Sequence, residues 1–153
     1  MALRNLKELR LALLNQMLKK ISVNNQFEHL MIAKRSQNPQ SVISTIGDYC
    51  DEAGAILSQM KNVTDISDVE FSHLATLCKL LKEKSTRICV VQMNFACMLV
   101  IQACEQRNKI KFFQALDMLE NDFSIIQSQL EAYARIERRI IMLETDQAGG
   151  SSS

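Results

Sequence analysis

The chain has 153 residues, of which 47% are hydrophobic and 23% charged, and its net charge is +1. That length suits one domain able to bury a core without covalent staples. Lysines and glutamates are mixed along the chain, so no basic face stands ready to release counterions from a nucleic acid, and nucleic acid is excluded as an expected partner.

Four Gly and one Pro, with no Trp and eight Met, describe long helices with few turns, and the fold class expected is all-α. The N-terminal stretch MALRNLKELRLALLNQMLKK carries charges throughout, unlike the apolar core of a secretion signal. Its Leu6, Leu9, Leu13, Leu14 and Met17 mark a first amphipathic helix. After the polar break VNNQ, a short second helix is marked by Phe27, Leu30 and Met31, with Phe27 and Met31 expected partly exposed as a secondary docking contact. In SQNPQSV, Asn38 can cap and Pro39 fits a first helical position, opening a third helix through Val42, Ile46, Cys50, Ile56 and Met60. Ser67 and Glu70 spell a capping box for a fourth, whose apolar stripe runs through Phe71, Leu74, Leu77, Cys78 and Leu81.

Beyond Ser85 and Thr86 a very apolar helix extends to about Arg107. It is short for a membrane span and carries Gln92, Asn94 and Gln102, so a central helix of a soluble bundle is expected and no membrane partner. The last helix has a seam at steps of three and four: Ile110, Phe113, Leu116, Leu119, Phe123, Ile126, Leu130, Tyr133, Ile136, Ile140 and Leu143. These stripes predict one domain over 1–145, an antiparallel four-helix bundle with two additional N-terminal helices, and a flexible tail over 146–153. A monomer is expected.

Candidate chemistry is sparse. The glycines, at 47, 54, 149 and 150, form no phosphate loop, and His29 and His73 lack metal-ligand spacing, so no cofactor or metal is expected. Cys50, Cys78, Cys89, Cys97 and Cys104 are odd in number, without a C-x-x-C pair, and are read as small core residues in a reducing compartment. What remains is the charged stretch LCKLLKEKSTRI, residues 77–88. On a helical wheel Leu74, Leu77, Cys78 and Leu81 face one way, while Ser72, Ala75, Thr76, Lys79 and Glu83 face the other. Lys79 is therefore expected to face solvent at mid-helix, where a lysine ordinarily does no more than keep the surface soluble.

The order of features resembles the plant histidine-containing phosphotransfer family. VNNQFEHL followed by SQNPQSVISTIGDYCDEAGAIL is similar to that family's D-x-Q-F, N-P and helix ending I-L. The run from Ala96 to Ile140 is similar to its last two helices, including a C-E-x-x-N junction at Cys104, Glu105 and Asn108. Between them the family carries H-Q-L-K-G-S-S-S-S-I-G. Counting back from Cys104 without gaps sets Lys79 at the phospho-accepting histidine, Leu81 and Lys82 on the family's Leu and Lys, and Glu83 on its first Gly. Lys84 and Arg87 replace two serines, Ser85 and Thr86 keep two in kind, Ile88 matches, and Cys89 replaces the second Gly.

The resemblance thus implies a pseudo-phosphotransfer protein, not an enzyme. It implies binding to receiver domains of hybrid histidine kinases and response regulators through Ser72, Ala75, Thr76, Lys79, Lys82, Glu83 and Thr86. It further implies residence in cytoplasm and nucleus and damping of a cytokinin-type phosphorelay. In such a receiver the resemblance implies an acidic, magnesium-binding pocket that the Lys79 ammonium would enter, with Lys82 assisting and Glu83 opposing. Two other readings stay open: a working carrier that uses His73 or His29, and a helical module outside two-component signalling.

Overall fold

The computed structural model describes residues 1–63 and 68–151, with side chains omitted at 68, 69 and 149–151. The described residues form six helices: α1 Ala2–Lys19, α2 Gln26–Gln37, α3 Ser41–Lys61, α4 Asp68–Arg87, α5 Gln92–Glu105 and α6 Lys109–Ser151. Helices α3, α4, α5 and α6 pack in a closed ring, each against the next and α6 back against α3, while α1 lies along α6 and α2 along α3. This is the expected four-helix bundle with two N-terminal additions.

Local chemistry explains where the helices stop. At three of their ends a non-glycine residue adopts a left-handed backbone, Ile21 (φ 59°), Cys89 (φ 64°) and Arg107 (φ 52°). Each is followed by an amide that bonds back five residues, Ser22 to Met17 O (2.9 Å), Val90 to Ser85 O (2.9 Å) and Asn108 to Ala103 O (3.0 Å). That pattern satisfies carbonyls orphaned at a helix end, usually with glycine in the left-handed position. Asn38 Oδ1 accepts the Gln40 amide at 2.8 Å in the turn between α2 and α3. Helix α3 opens at Ser41, however, with Gln40 in the cap position and no side-chain cap, so Asn38 closes α2 instead of capping α3 as expected, and Pro39 lies in the turn before the helix. Ser67 lies outside the described residues, and with it the capping box it would form with Glu70.

The core runs through all six helices and includes Cys50, Cys78, Cys97 and Cys104, whereas Cys89 is half-buried; all five are free thiols. Burial pushes the Cys50 and Cys104 thiols up to about 11, because a thiolate there would lose its hydration.

The seam of α6 departs from the sequence expectation at both ends. Ile110 and Phe113 are exposed, and Phe112 is buried in their stead, edge-on to Phe71 at 6.4 Å. The inward register is therefore 112, 116, 119, 123, 126, 130, 133, 137 and 140, and it puts Glu137 rather than Ile136 inside. Glu137 is 1% exposed. Its carboxylate accepts from Arg10 Nη1 (2.8 and 3.1 Å), Arg35 Nε (2.8 Å) and Arg35 Nη2 (2.7 Å). Arg35 Nη2 also reaches Tyr133 Oη at 3.2 Å, so one carboxylate ties α1 and α2 to α6. The hydrogen bonds that Arg35 donates to Glu137 hold its guanidinium above its ordinary range.

Phe27 and Met31 are buried, at 0% and 1% exposure, which corrects the expectation that they form a secondary docking contact. Phe27 stacks edge-on against Tyr133 at 5.7 Å, so the apolar side of α2 is consumed by packing within the domain. Helix α6 continues to Ser151 through residues read from sequence as a flexible tail, and Gln147 lines a groove with Leu3, Lys7 and Leu11 of α1.

Candidate functional site

Helix α4 buries Leu74, Cys78 and Leu81 completely and Leu77 in part, which turns Lys79 outward. Ser72, Thr76, Glu83 and Thr86 are exposed with it, and Lys82 is half-buried. Ala75 departs from the predicted face: it belongs to the core, because the angular sector beside Leu74 and Cys78 is covered by neighbouring helices. Both histidines are exposed, His29 on α2 and His73 on α4.

The polar groups of this face are not equally available. Thr76 Oγ1 donates to Ser72 O at 3.0 Å and Thr86 Oγ1 to Lys82 O at 2.8 Å, so both hydroxyl protons turn back onto their own helix. Lys84 Nζ bonds Glu52 Oε2 at 3.0 Å and is committed to α3. Arg87 and Glu83 pair one turn apart. Lys79 and Lys82 make no ion pair among the described residues.

Ser85, which the resemblance sets on one of the family's serines, is fully buried, with Oγ 2.7 Å from Tyr49 Oη. It therefore joins α3 to α4 inside the core. Burial raises the Tyr49 phenol above its ordinary range, so it stays protonated within that pair.

Two depressions meet at Lys79. The smaller, of about 400 Å³, is polar and lies between Ser72, Ala75, Thr76 and the Cys104–Arg107 corner. The larger, of about 820 Å³, sets Lys79, Lys82, Glu83 and Thr86 along one wall and the outer side of α5 along the other. That second wall holds Phe95 (64% exposed) and Met98 (53% exposed), with Leu99 and Ile101 beside them. The wheel of α4 could not supply this half of the site. Its signal lies in α5, where QMNFACMLVIQACE is apolar on nearly every side and a bundle position covers only one of them. The arrangement can therefore bind a partner's surface: two ammonium groups that make no ion pair among the described residues stand beside an exposed apolar ridge, with Glu105 in the same groove.

No family model matches the chain. Its sequence relatives are plant histidine-containing phosphotransfer proteins. It is 25% identical to histidine-containing phosphotransfer protein 2 of Oryza sativa subsp. japonica, over 92% of this chain and 95% of that one. Against histidine-containing phosphotransfer protein 1 of Arabidopsis thaliana the identity is 22%, over 78% and 77%. The fold is that of the X-ray structure of a rice protein described by the same family name, with a TM-score of 0.84 at 24% identity over 92% of this chain and 99% of that one. It is also that of the maize histidine-containing phosphotransfer protein, with a TM-score of 0.80 at 24% identity over 88% and 99%.

Proposed function

We propose that this protein docks on receiver domains of two-component signalling proteins and carries no phosphoryl group. The observation that carries the reading is the outward position of Lys79 on α4, in the register that the sequence resemblance assigns to the accepting histidine. A phosphoryl carrier needs a nitrogen lone pair near neutral pH, which imidazole has. A lysine on an open helix face is almost wholly ammonium there, since its reference pKa lies about four units above that of imidazole. The glutamate at 83, in the place of a glycine, adds bulk where a partner's backbone would approach. The face is then a binding surface whose reaction is lost.

Under this reading the Lys79 ammonium enters the acidic pocket of a receiver as a counter-ion. The protein competes with working carriers for hybrid kinases and response regulators, in cytoplasm and nucleus, and damps a cytokinin-type phosphorelay. The test is phosphoryl transfer from a radiolabelled receiver to the native chain and to a Lys79→His, Glu83→Gly double variant. The native chain is expected to take up no label and the double variant to gain it. Acid-labile label on native His73 or His29 overturns the reading in favour of a working carrier.

A further inference from the structure

Glu83 stands one turn after Lys79 and one turn before Arg87, so it can neutralise either cation but not both at full strength. It pairs with Arg87, the orientation in which the acid precedes the base and the helix dipole helps. Both side chains are open to solvent, 56% for Glu83 and 72% for Arg87. An ion pair that exposed does little to hold a fold together. Its consequence is electrostatic: while Arg87 holds Glu83, neither Lys79 nor Lys82 makes an ion pair among the described residues, although Glu105 lines the same groove. Across the groove stands the ridge of Phe95 and Met98.

We propose that Arg87 is a specificity-determining residue that masks Glu83, and that the groove between α4 and α5 thereby selects a protein element carrying apolar side chains bordered by carboxylates. The proposal rests on the receiver-docking reading and deepens it, since it says which charge pattern on a receiver is recognised. It also removes the conflict of signs between Glu83 and an acidic partner: Glu83 does not oppose that partner as long as Arg87 engages it. Loss of Arg87 frees Glu83 to turn back on Lys79, which cancels the ammonium the partner needs.

The experiment measures affinity by calorimetry for a panel of isolated, unphosphorylated receiver domains, using the full chain and four variants. Arg87→Ala is expected to weaken binding about fivefold at low salt, with the difference shrinking as salt rises. Adding Glu83→Gln to Arg87→Ala is expected to return affinity to within about twofold of native, because the carboxylate that Arg87 engaged is gone. Phe95→Ala and Met98→Ala are expected to weaken binding about tenfold each by removing exposed anchors. A double variant as weak as Arg87→Ala shows that Arg87 touches the partner itself and overturns the mask. Ridge variants that bind like native overturn the groove. A native chain that binds no receiver sinks the docking reading and this inference with it. Unchanged circular dichroism of each variant separates these outcomes from misfolding.

Discussion

Replacing Glu137 by leucine tests how the N-terminal helices are held. The native carboxylate accepts four guanidinium hydrogen bonds, two from Arg10 and two from Arg35, at 2.7–3.1 Å. Leucine fills much of the same space but leaves both cations facing an apolar wall. Stranding a fully buried charge costs about 3–5 kcal/mol. Here the arginine side chains keep 18% and 28% exposure, so each can recover part of its hydration, and a loss of about 2–3 kcal/mol is expected. For a domain of this size that lowers the melting temperature by roughly 5–10 °C. Urea unfolding followed by circular dichroism measures the loss, and hydrogen exchange locates it in α1 and α2. Arg10→Met and Arg35→Met added to Glu137→Leu should recover most of the stability, since no charge is then left to strand. A single-variant loss below about 1 kcal/mol would refute the reasoning, because the carboxylate's own desolvation would then cancel what the arginines supply.

Other consequences are equally direct. Lys79→Glu is expected to weaken affinity for an unphosphorylated receiver by about tenfold, and equal calorimetric affinities would take Lys79 out of the interface. Cys89→Gly should stabilise the protein by ~1 kcal/mol, since glycine carries no penalty in the left-handed position that Cys89 occupies; a lower urea midpoint would refute this. Tyr49→Phe strands the buried Ser85 hydroxyl and should cost ~1 kcal/mol, with Tyr49→Phe and Ser85→Ala together costing less than their sum. Cys50 and Cys104, raised by burial from about 9 to about 11, contribute stability that is complete below pH 9 and lost as pH rises through 11. At pH 8 a disulfide reagent should label Cys89 first and reach these two only on unfolding; fast labelling of either in the native protein would contradict their burial.

Composition and periodicity together decided the helical class and most of the core stripes, because a helix at 3.6 residues per turn must show its buried side as apolar steps of three and four; the ends of the α6 stripe are the exception. Periodicity also settled that Lys79 faces outward, since Leu74, Cys78 and Leu81 claim the inward direction of α4. The order of motifs pointed to the family that the sequence relatives bear by name. What periodicity could not decide was which partner covers each remaining side. Phe27 and Met31 read as spare apolar surface until Tyr133, about a hundred residues later, closes over α2. Ala75 reads as exposed by angle, and neighbouring helices bury it. The very apolar α5 gives no sign from its sequence of which side is covered, and Phe95 and Met98 stay open because the ring of four helices leaves that side of it uncovered. Glu137 carries no apolar signal at all, and its burial follows from two arginines far away in sequence that converge on it. A helix's own residues fix which way each side chain points, but only the assembled bundle fixes what stands there to meet it.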